Sequence, residues 1–111
     1  MFEKNLNIGY LLDFYGDVLP ERKRGVMDMY YNEDFSLGEI AAELGISRQG
    51  VRDIIKKSEE ELLFYEEKLG LAKKLKCAND ALKDLEAVAS GLSLPQSFYA
   101  QLDEIKHIIS Q

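Results

Sequence analysis

Four side chains within one short stretch carry chemistry suited to nucleic acid: Arg48, Gln49, Arg52 and Lys56. An arginine fork can take guanine bidentately, a glutamine amide can take adenine, and a lysine ammonium suits phosphate. Val51, Ile54 and Ile55 are interleaved with them at helical spacing. With those three turned to a core, the four polar side chains face outward. Ser47, immediately before them, is a helix-cap candidate. Together with the amides of the first turn it could hold a phosphate. The competing reading is an ordinary solvated surface on a helix used only for packing.

Such side chains read a groove only if a second helix holds theirs in place. The run Leu37–Lys56 supplies that arrangement, a helix-turn-helix. Two helices that cross steeply need a small residue at the contact, and Ala41 stands there. The tight turn needs a residue tolerant of positive φ, and Gly45 provides it. The shared core needs apolar residues, and Ile40, Leu44, Ile46, Val51 and Ile54 meet that need. Ser36 with Glu39 three residues on has capping-box spacing, which starts the first helix. The spacing predicts helices over Leu37–Leu44 and from Ser47 to Gly70. The second is ~22 residues, or ~33 Å, long.

The remaining reactive residues form no constellation. His107 and Cys77 are each the single residue of their type and lie thirty positions apart, which makes a zinc site improbable. Glu59-Glu60-Glu61 and Glu66-Glu67 read as a solvated helix face, with no histidine to make them a metal or acid–base site. The six tyrosines and five phenylalanines fall mostly on apolar stripes and suit core packing better than base stacking. Phosphate-cradling glycine loops, nucleophile elbows and paired metal motifs are all missing from the sequence. The expectation is a protein that is not an enzyme, with no cofactor and no small-molecule substrate.

Charge narrows the partners. The 111 residues carry 14 basic and 20 acidic groups, a net −6. That balance argues against strong general nucleic-acid binding, which needs clustered Lys and Arg. Residues 1–35 hold four positive and seven negative groups, residues 36–57 four and three, and residues 58–111 six and ten. The helix-turn-helix is therefore the only segment that is not acidic. One cysteine allows no internal disulfide and fits a reducing cytoplasm. Met1-Phe2-Glu3-Lys4 lacks the basic start and apolar run of a signal peptide. No stretch approaches the ~20 apolar residues of a membrane span.

Apolar periodicity fills in the other elements. Ile8, Leu11, Leu12, Tyr15, Val18 and Leu19 mark a first helix over roughly residues 4–16, ended by Gly16-Asp17. Pro20 suits the first turn of a second helix, which carries Val26, Met29 and Tyr30 on one side and closes at Asn32-Glu33-Asp34. In the last third, Leu71, Leu75, Ala78, Leu82, Leu85, Ala89 and Leu92 form a narrow heptad seam. After Gly91, Pro95 opens a final helix with Phe98, Leu102, Ile105 and Ile109 on its stripe. These elements predict an all-α fold: a helix-turn-helix domain over residues 1–69 and a C-terminal helical hairpin or dimerisation extension over 70–111. A homodimer is expected, with Leu71, Leu75, Leu82 and Leu85 at its contact. The seam offers one reason. The expected exposure of Leu62, Leu63 and Tyr65 offers another.

Two resemblances extend this reading. Leu19-Pro20-Glu21-Arg22, Tyr30-Tyr31 and Ser36–Lys56 look like region 4 of sigma factors, and the promoter-melting region 2 has no counterpart in these residues. The chain more closely resembles the YlxM family of small bacterial proteins. The residues that carry this are Asp13-Phe14-Tyr15-Gly16, Ser36-Leu37-Gly38-Glu39-Ile40-Ala41, Ser47-Arg48-Gln49-Gly50-Val51, Asp53-Ile54-Ile55-Lys56 and Tyr65-Glu66-Glu67-Lys68-Leu69. They cover the first two thirds of the chain, and the last third is similar mainly in length and helical character. The resemblance implies a sigma-region-4-like bundle and a gene beside those of the signal recognition particle. It thereby implies an accessory or regulatory role in that pathway, with no catalytic or ligand site to carry over. Two functions are thus expected. One is nucleic-acid binding through Ser47, Arg48, Gln49, Arg52 and Lys56, to DNA or to the particle's RNA. The other is a protein-interaction module whose helices and acidic surface touch a protein of the particle.

Overall fold

The computed structural model describes residues 6–110, and among them every regular element is a helix. The order is α1 (Leu6–Tyr15), a 3-10 turn (Gly16–Val18), α2 (Glu21–Tyr31), α3 (Leu37–Leu44), α4 (Arg48–Leu69), α5 (Leu71–Ala89) and α6 (Gln96–Ser110). The expected start of the first helix at residue 4, and the reading of Met1–Lys4, fall outside the described residues. The chain divides into two compact units, Met1–Gly70 and Leu71–Gln111.

In the first unit α4 is the spine, and α1, α2 and α3 all pack on it. Its inward face is Val51, Ile55, Ser58 and Leu62, spaced four, three and four residues apart, and all four are fully buried. Ser58 is tolerated there because its hydroxyl donates a 2.7 Å bond to the Ile54 carbonyl one turn back. Ile8, Leu11, Leu12 and Tyr15 of α1, Val26, Met27 and Tyr30 of α2, and Ile40 and Ala41 of α3 complete this unit's helical core.

Several expectations change in detail. The first helix ends at Gly16 as expected, but the chain then tightens into the 3-10 turn, and Val18 of the expected stripe is exposed while Leu19 is buried. Pro20 sits at the cap, one position before α2. Met27, not Met29, is the fully buried methionine of α2. Leu62 is buried rather than exposed, because it continues the inward face of α4 for two turns beyond Ile55. Leu44, Ile46 and Ile54 are half-buried, so Ile40, Val51 and Ile55 are the closed centre of the helix-turn-helix.

The glutamates of α4 are not simply a solvated face. Glu61 pairs with Lys23, Glu59 accepts a bond from the Tyr31 hydroxyl, and Glu66 accepts one from the Tyr15 hydroxyl at 2.7 Å. These three carboxylates tie α4 to α1 and α2. Packing accounts for most of the aromatics, as with Tyr15 against Phe14 and Tyr65, while Tyr10 and Phe64 stand exposed.

In the second unit α5 and α6 pack on each other, and Lys106 bridges to Glu86 at 2.9 Å. Its buried side chains are few: Ala72, Ala89 and Leu102. Along the heptad seam Leu75, Ala78 and Leu82 are half-buried, while Leu71, Leu85 and Leu92 remain exposed. No helix among the described residues is long and apolar enough to cross a membrane.

Candidate nucleic-acid interface

The interface is built from the first three turns of α4 and from the helix that braces it. α3 begins with a complete capping box. The Glu39 amide donates to Ser36 Oγ at 3.1 Å, and the Ser36 amide donates to Glu39 Oε1 at 3.0 Å. The Ser36 amide first, and its hydroxyl second, favour the charged carboxylate and lower the pKa of Glu39. α3 ends at Gly45, whose φ of 69° lies in the left-handed region that glycine enters without penalty. The Gly45 and Ile46 amides both turn back to the Ala41 carbonyl, which closes the helix end. Ala41, nearly buried, stands on the last full turn of α3 beside that closure.

Ser47 then caps α4. Its hydroxyl oxygen accepts the Gly50 amide at 3.0 Å, so one first-turn donor already has its partner. The phosphate role expected of Ser47 is thereby reduced to what its exposed hydroxyl can donate.

Arg48, Gln49, Arg52 and Lys56 are all exposed. At about 100° per residue they span about 100° of the α4 circumference. They are not equivalent within that arc. Arg48 borders the buried edge, next to α3, and its guanidinium lies across the first turn of that helix. A Cβ on Gly38 would stand 3.1 Å from Arg48 Nε and 3.2 Å from Nη2. Gln49 is committed to a neighbour, for its amide donates to Asp53 Oδ1 at 3.0 Å. Asp53, one turn beyond Gln49, is exposed at the edge of this arc. Its carboxylate is an acceptor of the kind that suits the amino group of cytosine. Its one-turn spacing from Gln49 was the available signal for it.

Nothing comparable gathers elsewhere among the described residues. Among the described residues there is no group of three or more His, Cys, Asp or Glu that could hold a metal ion. Cys77 and His107 are both exposed. A shallow cleft in the first unit, lined by Lys23, Lys57, Glu60, Glu61, Phe64 and Tyr65, brings no nucleophile–base pair together.

A capped brace helix, a left-handed glycine turn and a second capped helix with an exposed polar start define a helix-turn-helix protein. A model of the family UPF0122, described as "Putative helix-turn-helix protein, YlxM / p13 like", matches residues 2–105. The chain belongs to that family. It is 41% identical to UPF0122 protein BH2485 of Halalkalibacterium halodurans over 105 residues, which span 95% of this chain and 96% of that protein. It is 40% identical to UPF0122 protein YlxM of Bacillus subtilis over 106 residues, 96% of each chain. Similarity to UPF0122 protein TTE1463 of Caldanaerobacter subterraneus is denser but shorter: 58% over 64 residues, 58% of this chain and 55% of that one.

Proposed function

We propose that this chain is a non-enzymatic regulatory protein of the cytoplasm that binds nucleic acid through the start of α4. The observation that carries the reading is the exposed arc of Arg48, Gln49, Arg52 and Lys56 on a capped helix braced by α3. Arg52 and Lys56 supply positive charge for the backbone, and the amide and carboxylate of Gln49 and Asp53 supply edge-reading groups. The family resemblance supports duplex DNA or the RNA of the signal recognition particle as the target, and an accessory role in that particle's pathway.

One observation favours a second reading. Residues 1–70 carry nine basic and fifteen acidic groups, a net −6 that accounts for the charge of the whole chain. Away from the start of α4, that surface suits a basic protein, such as one from the same particle, better than phosphate.

Gel shifts across a salt series, with the particle's RNA, its protein and random duplex DNA as separate probes, test both readings. Nucleic-acid binding that weakens steeply with salt supports the first. Arg48→Ala with Arg52→Ala should then lose ~1–3 kcal/mol for each base contact removed. A folded double variant that binds unchanged overturns the assignment of the site. Binding to the protein probe alone overturns the nucleic-acid reading in favour of the second.

A further inference from the structure

We infer that Asp53 is a positioning residue for Gln49, and that the pair makes this surface read an adenine in the major groove of duplex DNA. The inference rests on the nucleic-acid reading proposed above and names the target base. One hydrogen bond carries it: Gln49 Nε2 donates to Asp53 Oδ1 at 3.0 Å. Both residues are exposed, and Gln49 is the second residue of α4, two positions past the Ser47 cap. The first turns of such a helix are the part that reaches base edges.

An ionised carboxylate only accepts hydrogen bonds. The amide must therefore turn its NH2 group to Asp53 and its Oε1 away. The four-residue spacing puts the two side chains about 40° apart around the helix, so one turn of α4 holds this orientation. A glutamine without such a partner can offer a groove its carbonyl or its NH2 and so suits several base edges. Here the choice is made before binding. Oε1 remains as an acceptor, and Nε2 keeps its second hydrogen as a donor.

Adenine alone among the bases sets an amino donor, N6, beside an acceptor, N7, on its major-groove edge. Gln49 Oε1 can take N6–H while the second Nε2 hydrogen goes to N7. Guanine presents two acceptors, so its O6 would face Oε1. Thymine presents O4 and a methyl group, and cytosine presents the N4 donor without an acceptor beside it. The Asp53 carboxylate, itself acceptor-only, opposes the keto oxygens further. Edge readout by a helix also needs a wide groove. The major groove of B-form DNA admits one, whereas that of A-form RNA is too narrow. Lys56 and Lys57, one turn beyond Asp53, offset its charge against the phosphates.

Selection of bound sequences by the full chain from a randomised duplex DNA library, followed by gel shifts across a salt series, tests it. The selected site should contain an adenine preferred about tenfold over the other bases. Purine at that position, which lacks the N6 amino group, and 7-deazaadenine, which lacks N7, should each lose most of the preference. Asp53→Ala should bring that preference close to one. It should keep the circular dichroism spectrum, the salt dependence and the preferences elsewhere in the site. Asp53→Asn should act alike, because its amide both donates and accepts and no longer dictates how Gln49 turns. Gln49→Ala should lose the same preference, and adding Asp53→Ala should lose no more. A merely structural Asp53 would instead change affinity for all sequences alike. Three outcomes overturn this inference and leave nucleic-acid binding standing: salt-dependent duplex binding with no preferred adenine, an adenine preference that survives Asp53→Ala, or binding to RNA alone. Absence of binding to any nucleic acid overturns both readings.

Discussion

The hydroxyl of Tyr15, at the end of α1, donates a 2.7 Å hydrogen bond to Glu66, on the last turns of α4 and fifty-one residues away in sequence. The phenol ring is buried against Tyr65, and only its polar end reaches the carboxylate. Tyr31–Glu59 and Lys23–Glu61 repeat the device along the same helix. Polar bonds thus tie α1 and α2 to the helix that carries Arg48, Gln49, Arg52 and Lys56.

Tyr15→Phe keeps the ring and removes the donor. A lost bond to a partly buried charged group costs about 1–3 kcal/mol. Urea denaturation should show a lower midpoint with an unchanged slope. An unchanged midpoint would mean that Glu66 is as well solvated as it is bonded.

Ala41→Leu tests the crossing of α3 and α4. Ala41 is buried on α3, which packs on α4, so the larger side chain must displace its neighbours. Overpacking typically costs ~1–3 kcal/mol. A variant that melts at the wild-type temperature would place the crossing elsewhere on α3.

The capping box makes part of the stability acid-sensitive. The bonds from Ser36 lower the folded-state pKa of Glu39 below its ordinary value of 4.5. A depressed carboxylate contributes stability that is present above the unfolded pKa and lost as pH falls through the folded one. Ser36→Ala should remove about 1 kcal/mol at neutral pH. It should also flatten the decline below pH 4.5, as should Glu39→Gln. Thermal melts from neutral to strongly acidic pH would show it, and parallel declines for wild type and both variants would exclude the box as the cause.

What the sequence made legible was local. The ends of α3 and α4 follow from Ser36, Gly45, Ser47 and Gly70, because caps and left-handed turns are settled within a few residues. The outward position of Arg48, Gln49, Arg52 and Lys56 followed from period alone. What stayed hidden depends on neighbours distant in the chain. Periodicity carries no information that Glu59, Glu61 and Glu66 face Tyr31, Lys23 and Tyr15, so they read as solvated. Nor does it say that the inward stripe of α4 continues to Leu62 under α1 and α2. The polar partner of Gln49 was a local feature and went uncounted because acidic residues do not signal phosphate binding. Arg48 looked equivalent to Arg52 because one-letter spacing does not record that Gly38 lies beside it.

That contact gives the sharpest prediction about the interface. Gly38 is the second residue of α3, and Arg48 the first of α4, so the two helix starts lie side by side. The guanidinium rests where a Cβ would be, 3.1 Å from Nε. Gly38→Ala therefore forces Arg48 aside. Arg48 is exposed and its far end is mobile, so the displacement should cost little stability. The substitution also trades glycine for the better helix former, a gain of up to ~1 kcal/mol in a helix interior. The melting temperature should hold or rise. The Arg48 Nε–H resonance should nevertheless move in the free protein, a readout that needs no ligand. If nucleic acid binds as proposed, Gly38→Ala should change affinity in the wild-type background and leave it unaltered once Arg48 is alanine. Such a cycle isolates the coupling between two residues in contact. Equal effects in both backgrounds would mean that Gly38 acts on the interface by some route other than Arg48.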